Sequence, residues 1–111
     1  MLASQVISSV RFALNDASAT RWSDPALIAY LNDGYQETIL MRPDFRLNVS
    51  GGLNTPAQVV SLVSSLMLPD AYAGAMADYV IFRALSEDNS DGANPQKAQA
   101  HYQKFRTMLG A

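Results

Sequence analysis

The most continuous apolar pattern of the chain runs from Leu68 to Asp88. Pro69 and Asp70 at its start are typical of the first turn of a helix, where a missing N–H is tolerated and an acidic side chain complements the helix dipole. The positions that follow are apolar on nearly every side: Tyr72, Ala73, Met76, Ala77, Tyr79, Val80, Ile81, Phe82, Ala84 and Leu85. A helix that is apolar all round is a buried one. We therefore predict a buried central helix over 69–88, on which the other helices lean.

Three further stretches place apolar residues at helical spacing, 2–15, 24–41 and 94–109. The predicted N-caps of the last two are Asp24 and Asn94, each followed by a proline. Their predicted buried faces are Leu2, Ala3, Val6, Val10, Ala13 and Leu14; then Leu27, Ile28, Leu31, Tyr35, Thr38 and Ile39; then Ala98, Tyr102, Phe105 and Leu109. These patterns predict a mainly α fold, a small bundle of four to five helices.

Gly34 lies on the buried face of the second predicted helix. A glycine inside a helix costs up to about 1 kcal/mol relative to alanine. We interpret this glycine as the site of a close helix crossing.

The middle of the chain gives two conflicting patterns. Phe45, Leu47 and Val49 alternate with polar residues, which predicts a short half-buried strand in an extended insertion near 45–53. In 56–67, the residues Val59, Leu62, Val63, Leu66 and Met67 have helical spacing, which favours a fifth helix. The β propensity of the same segment, which is rich in valine and serine, favours instead a second strand that returns on the first; of the two, we predict the helix.

The composition indicates a single globular domain over 1–111. Apolar residues make up 49% and charged residues 16% of the chain, and the formal net charge is −2. This balance argues against a domain that grips DNA phosphates, which needs a concentrated basic face. The chain has no cysteine, and neither a signal peptide nor an apolar run of membrane-spanning length is apparent. We expect no membrane association.

Candidate chemistry is sparse, and we expect neither an enzyme nor a bound metal or cofactor. Residues 87–92 resemble the start of a calcium loop, but the twelfth position holds Ala98 where a bidentate glutamate is needed. We interpret 89–94 as a solvated turn. His101 is the single histidine and lies at the border of an apolar stripe, which is typical of a partly buried packing residue.

Six residues are candidates for contacts between subunits. Phe12 lies outside the buried stripe of the first helix and is either an isolated surface aromatic, part of a second packing layer, or a contact with another subunit. Arg83 lies among apolar residues of the central helix, so it needs a partner, either within the chain, such as Glu87, or on a neighbouring subunit. The others belong to the extended insertion: Arg46, Leu47, Asn48 and Val49.

The order of several short motifs resembles the head-to-tail adaptor, or connector, proteins of tailed double-stranded DNA phages. In the C-terminal half the matching residues are Leu68-Pro69-Asp70, Tyr72, Tyr79, Arg83, Asp88, Ala98, His101-Tyr102 and Phe105. In the N-terminal half they are Arg21-Trp22-Ser23-Asp24, Leu31-Asn32, Tyr35 and Arg42-Pro43-Asp44. The resemblance covers both ends of the chain, whereas family members carry a longer β-rich insertion in the middle.

The resemblance implies a structural virion protein, made in the host cytoplasm and located at the head–tail junction. Such adaptors form a ring, typically twelvefold, between the portal protein and a tail or nozzle protein. The double-stranded genome passes through the ring without sequence-specific binding, which a weakly acidic chain would permit. Two alternative classes stay open. One is a small helical DNA-binding or packaging-associated phage protein, and the other is an enzyme subunit or ligand-binding bundle, which predicts a pocket with convergent polar groups.

Overall fold

The computed structural model describes residues 1–19, 21–47, 50–87 and 94–110. These residues form a small mainly α bundle, as the sequence predicts. Its helices are α1 (Ala3–Leu14), α2 (Asp24–Met41), α3 (Ala73–Glu87) and α4 (Asn94–Met108), with short 3₁₀ turns at Pro43–Arg46 and Asp70–Tyr72. The predicted turn at 89–94 lies outside the described residues, apart from Asn94, which is buried and begins α4.

The central position predicted for the 69–88 helix is confirmed, because α1, α2 and α4 all pack on α3. The α-helix itself begins at Ala73, after a 3₁₀ turn. Three sides of α3 face three partners. Gly74, Asp78 and Phe82 approach α4, and Met76, Tyr79 and Arg83 contact α2. The buried positions Ala77, Ile81 and Ala84 lie on the third side, which we assign to α1.

The close crossing predicted at Gly34 is confirmed. A β-carbon placed on this residue would lie 2.6 Å from Cδ1 of Tyr79, so α2 and α3 approach within contact only because no side chain is there. One turn later, the Thr38 hydroxyl donates to the Gly34 carbonyl at 2.8 Å. That bond satisfies the buried hydroxyl beside Met76.

Two details of the first helices differ from the prediction. The N-cap of α2 is Ser23, whose hydroxyl accepts from the Ala26 N–H at 3.3 Å, whereas Asp24 is the first helical residue. The Asp24 carboxylate is instead engaged by Arg11. The buried face of α1 is Ala3, Val6, Ile7 and Val10. Leu2 and Ala13 are exposed. The packed face of α1 is rotated about the helix axis toward Ile7, away from the edge of the predicted face on which Leu2 and Ala13 lie.

The fifth helix predicted over 56–67, and the alternative strand, are both wrong. This segment is irregular because its backbone caps other elements. The carbonyls of Ser64 and Leu62 accept the Ala3 and Ser4 N–H groups of α1, both at 2.9 Å, and the Tyr35 hydroxyl accepts the Met67 N–H at 2.8 Å. The free N–H groups at a helix start need acceptors, and this segment supplies them. A regular helix or strand would have used those carbonyls itself.

The strand predicted from Phe45 is also wrong. Pro43 starts a 3₁₀ turn that continues to Arg46, and the Phe45 ring packs edge-on against Tyr72 at 4.9 Å. Within the described part of 45–53, the extended pairing is one antiparallel bridge between Leu47 and Leu53. The insertion is therefore a closed loop, because its two described sides contribute too few residues to pair as a sheet.

Candidate functional site

Phe12 is the most exposed of the large apolar side chains in the described chain, with 88% of its surface accessible. It projects from α1 beside a shallow cavity of about 290 Å³ that Ser8, Arg11 and Ala17 also line. It is therefore not part of a second packing layer within this chain. The two readings that remain are an isolated surface aromatic and a contact with another molecule.

The helix that carries Phe12 is fixed by a partly buried ion cluster. The Arg11 guanidinium contacts the carboxylates of Asp16 and Asp24 and donates to the Trp22 carbonyl at 2.9 Å. Asp16 is buried and also accepts the Trp22 N–H at 3.1 Å. Because a buried carboxylate is stable only with such partners, the cluster holds the end of α1 against the start of α2. Phe12 is thus presented from a rigid base.

Of the four candidate residues in the insertion, the structure describes Arg46 and Leu47. The Arg46 side chain donates to the Asn54 carbonyl at 2.7 Å, and the Arg46 carbonyl accepts the Asn54 N–H at 2.7 Å, so this residue closes the loop. Leu47 and Leu53 are 58% and 54% exposed. Asn48 and Val49 lie outside the described residues.

Arg83 has its charge partner inside the chain, so the proposed pairing with Glu87 is wrong. Its guanidinium contacts the Asp33 carboxylate of α2 at 3.0 Å and donates to the Tyr79 hydroxyl at 3.2 Å. It also lies 5.0 Å from the centre of the Tyr30 ring. The partner of Arg83 is Asp33 rather than Glu87 because the crossing at Gly34 brings α2 close to this face of α3. The pKa of Tyr79 is raised above its ordinary value because burial disfavours the charged form. The hydrogen bond from Arg83 has the opposite effect and offsets only part of this rise.

Polar contacts also join α4 to the other helices. His101 is partly buried, as its position in the sequence predicts, and its Nδ1 lies 2.9 Å from Oδ1 of Asp78. The Tyr102 hydroxyl donates to the Glu37 carboxylate at 2.7 Å, and this hydrogen bond raises the pKa of Tyr102. Beside these contacts an open groove of about 330 Å³ runs between α3 and α4. Its lining is Asp78, Ala100, Gln103, Lys104, Thr107 and Met108.

Sequence reasoning missed several exposed apolar residues. Leu40 is 81% exposed at the end of α2, and Val60 and Val63 are 73% and 81% exposed. The helical spacing over 56–67 predicts Val63 on the buried face of a helix that does not form. Leu40 follows Ile39 and falls off the buried stripe of α2, so its exposure could have been read from helical periodicity. The exposure of the two valines depends on the irregular path of 55–67.

Three findings complete the description. Within the ranges that the structure describes, no three histidine, aspartate or glutamate side chains are grouped so that they could hold a metal ion. In the same part of the chain, no helix combines the length and apolar character needed to cross a membrane. Comparison of the chain with protein-family models, with curated proteins and with solved structures gives no match.

Proposed function

We propose that this chain is a structural virion protein, a head-to-tail adaptor whose copies form a ring between the portal and the tail. The genome would pass through the centre of that ring. The order of motifs that resembles the adaptor family supports the proposal, and it includes residues with clear structural roles here. Tyr35 anchors the irregular middle segment, and Arg83 joins α3 to α2.

The observation that carries the proposal is the amount of apolar surface left uncovered on a small chain. Among the residues that the structure describes, six large apolar side chains are more than half exposed: Phe12, Leu40, Leu47, Leu53, Val60 and Val63. Single exposed apolar residues are normal, and it is their number on a chain of 111 residues that favours contacts with other molecules. They occur on α1, on the end of α2 and on both parts of the irregular middle. A subunit of a ring between two other proteins needs contact surfaces on several sides.

One observation favours the alternative, a small helical DNA-binding or packaging-associated protein. Helix α4 contains Lys97, Lys104 and Arg106 and no acidic residue. Against it, three arginines are already paired with carboxylates of the same chain: Arg11, Arg42 and Arg83. Paired arginines contribute less to phosphate binding because their charge is neutralised locally. The adaptor therefore remains the function that the surface supports best.

The experiment that tests the proposal is electron microscopy of the purified chain mixed with the portal protein encoded by the same genome. We expect a ring of this chain on one end of the portal, with the rotational symmetry of the portal. Duplex DNA affinity should be measured in parallel at low and moderate salt. Failure to bind the portal, together with tight and strongly salt-dependent duplex binding, would overturn the adaptor in favour of the alternative.

A further inference from the structure

We propose that Arg42 is a positioning residue for the loop 46–53, the part of the chain that carries the exposed side chains of Leu47 and Leu53. The Arg42 side chain fixes the direction of this loop relative to the helices, so that every copy in a ring presents the loop at the same angle. The inference rests on the proposed ring-forming function and names the residue that prepares one of its contact surfaces.

The backbone is stiff where the loop leaves the helices. Arg42 follows the last residue of α2 and precedes Pro43, which starts the 3₁₀ turn. A proline fixes its own φ and disfavours the helical conformation of the residue before it. Arg42 has a φ of −128°, yet its N–H still donates to the Thr38 carbonyl at 2.8 Å. The side chain of Arg42 therefore starts from a fixed point at the base of the loop.

The Arg42 guanidinium joins several separate parts of the chain. Its Nε and Nη2 donate to the two carboxylate oxygens of Asp44, both at 3.0 Å, and its Nη1 donates to the Leu109 carbonyl just after α4, at 3.1 Å. Its central carbon lies 4.7 Å from the centre of the Phe45 ring, which contacts Tyr72 just before α3. A planar fork of donors makes all of these contacts at once, which an ammonium group cannot do.

The described contacts anchor the loop at one base. Asn54 closes the loop on Arg46, because its N–H and its carbonyl each lie 2.7 Å from an atom of that residue. The chain then runs through 54–58, a fully described range in which no side chain is buried. The next buried side chain is that of Val59. The attachment of the closed loop to the helices is therefore the 3₁₀ turn, which Arg42 and Phe45 hold in place.

Ring closure explains why the direction of the loop matters. A closed ring requires the same rotation between every pair of neighbours. A contact surface that swings relative to the helices offers a range of rotations and loses entropy when the contact fixes it. Leu47 and Leu53, which pair across the antiparallel bridge, are 58% and 54% exposed. A rigid base presents both side chains in one orientation before the contact forms. Arg42 thus prepares the loop without having to touch the partner.

The test compares Arg42→Gln and Arg42→Lys with the unchanged chain. NMR order parameters are measured for the backbone amides of Phe45, Leu47 and Asn54, which have hydrogen bonds in this structure. We expect about 0.85, the value of a rigid backbone, in the unchanged chain and less than about 0.6 in both variants. Electron microscopy with the portal protein encoded by the same genome should show rings of the unchanged chain and none of either variant. Lysine should not rescue, because it keeps the charge without the planar fork.

Arg83 provides the matched control. Its guanidinium also contacts a carboxylate, that of Asp33 at 3.0 Å, and an aromatic ring, that of Tyr30 at 5.0 Å. It joins α3 to α2, however, and not the loop to the helices. Arg83→Gln should therefore shift the urea unfolding midpoint downward and leave the loop order parameters and the rings unchanged.

A milder variant keeps the test decisive if Arg42→Gln does not fold. Asp44→Asn removes the charge of the carboxylate at the base of the loop and keeps the bond from Arg42 to the Leu109 carbonyl. The same three order parameters should fall in this variant, although less than in Arg42→Gln. Unchanged order parameters in Asp44→Asn would contradict the junction as the anchor of the loop.

The outcomes separate the positioning role from the function. Absence of rings from the unchanged chain would overturn the adaptor proposal. Normal rings from Arg42→Gln, or an equally ordered loop in that variant, would overturn the positioning role and leave the adaptor proposal intact. Full rescue by lysine would overturn it as well, because charge alone would then be sufficient. A loosened loop in Arg83→Gln would reveal a general effect of lost arginines and would also overturn it.

Discussion

At the scale of single residues, Gly34 is where α2 and α3 approach each other too closely to admit a β-carbon. We expect Gly34→Ala to lower the free energy of unfolding by about 1–3 kcal/mol, as overpacking does. The cause is that the new β-carbon would meet Cδ1 and Cγ of Tyr79 at 2.6 and 2.9 Å, and this ring is itself buried. The gain in helix propensity opposes the loss but is smaller. Urea titration monitored by circular dichroism measures the difference.

Gly74→Ala is the matched control. It changes the same atoms in α3, but the nearest neighbour of the new β-carbon is Sδ of Met108 at 4.0 Å. This variant should therefore be unchanged or stabilised by up to about 1 kcal/mol. Equal destabilisation of both variants would contradict the close crossing as the cause.

A second residue-scale prediction concerns the aromatic cluster between α3 and α4. Phe105 is fully buried, and its ring lies 5.0 Å from that of Tyr79. Phe105→Ala should lower the free energy of unfolding by about 3–5 kcal/mol. Phe82, which the sequence places in the buried central helix, is only partly buried against Tyr102. Phe82→Ala should therefore cost less, about 2 kcal/mol. Equal losses in urea titrations would show that exposure does not distinguish the two sites.

At the scale of elements, the irregular segment 55–67 is attached by specific hydrogen bonds rather than by its own secondary structure. The Tyr35 hydroxyl accepts the Met67 N–H at 2.8 Å from a fully buried position. Tyr35→Phe keeps the ring and removes this acceptor, so we expect a loss of about 1–3 kcal/mol from the unsatisfied N–H. Amide hydrogen exchange at Met67 should accelerate more than exchange in α3.

Tyr102→Phe, in α4, is the control for Tyr35→Phe. Its hydroxyl bonds to Glu37, a partly exposed carboxylate that water can solvate once the hydroxyl is gone. The cost should be smaller than that of Tyr35→Phe, and exchange at Met67 should not change. Accelerated exchange at Met67 in both variants would indicate general loosening rather than loss of one bond.

At the scale of the whole molecule, the described residues of the loop 46–53 lie outside the core. Its described residues after Arg46 are all exposed, and Arg46 and Asn54 close it. Replacement of 46–53 by a short glycine-serine link should leave circular dichroism and the melting temperature of the monomer nearly unchanged, because none of the described side chains that it removes is buried. Under the adaptor proposal, the same variant should fail to form a ring on the portal. Unfolding of the variant would place the loop in the core, and normal rings would make it dispensable.

The stability of the whole molecule should also fall in alkali. Burial raises the pKa of Tyr35 and Tyr79, and the bond to Glu37 raises that of Tyr102, above the ordinary value of 10.0. The unfolded chain therefore loses these protons first as the pH rises. The stability that depends on the neutral tyrosines is complete below pH 10 and is lost as the pH rises through the folded pKa values. Loss of circular dichroism should coincide with the late rise in tyrosinate absorbance. Tyrosines that all titrate near 10 in a folded chain would contradict this.

The sequence by itself determined the four helices and the burial of α3, because helical periodicity and capping residues act locally. It also located the crossing at Gly34, because a glycine on the buried face of a helix is unfavourable unless another helix approaches closely there. The path of 55–67 was decided only by tertiary structure, because its carbonyls bond to the start of α1, about sixty residues earlier. The same holds for the Asp33 partner of Arg83, which becomes available only where α2 crosses α3. Hydrogen bonds and ion pairs between distant segments leave no periodic pattern, so the exposed apolar positions that depend on them, Val60 and Val63, emerge only when the chain is folded.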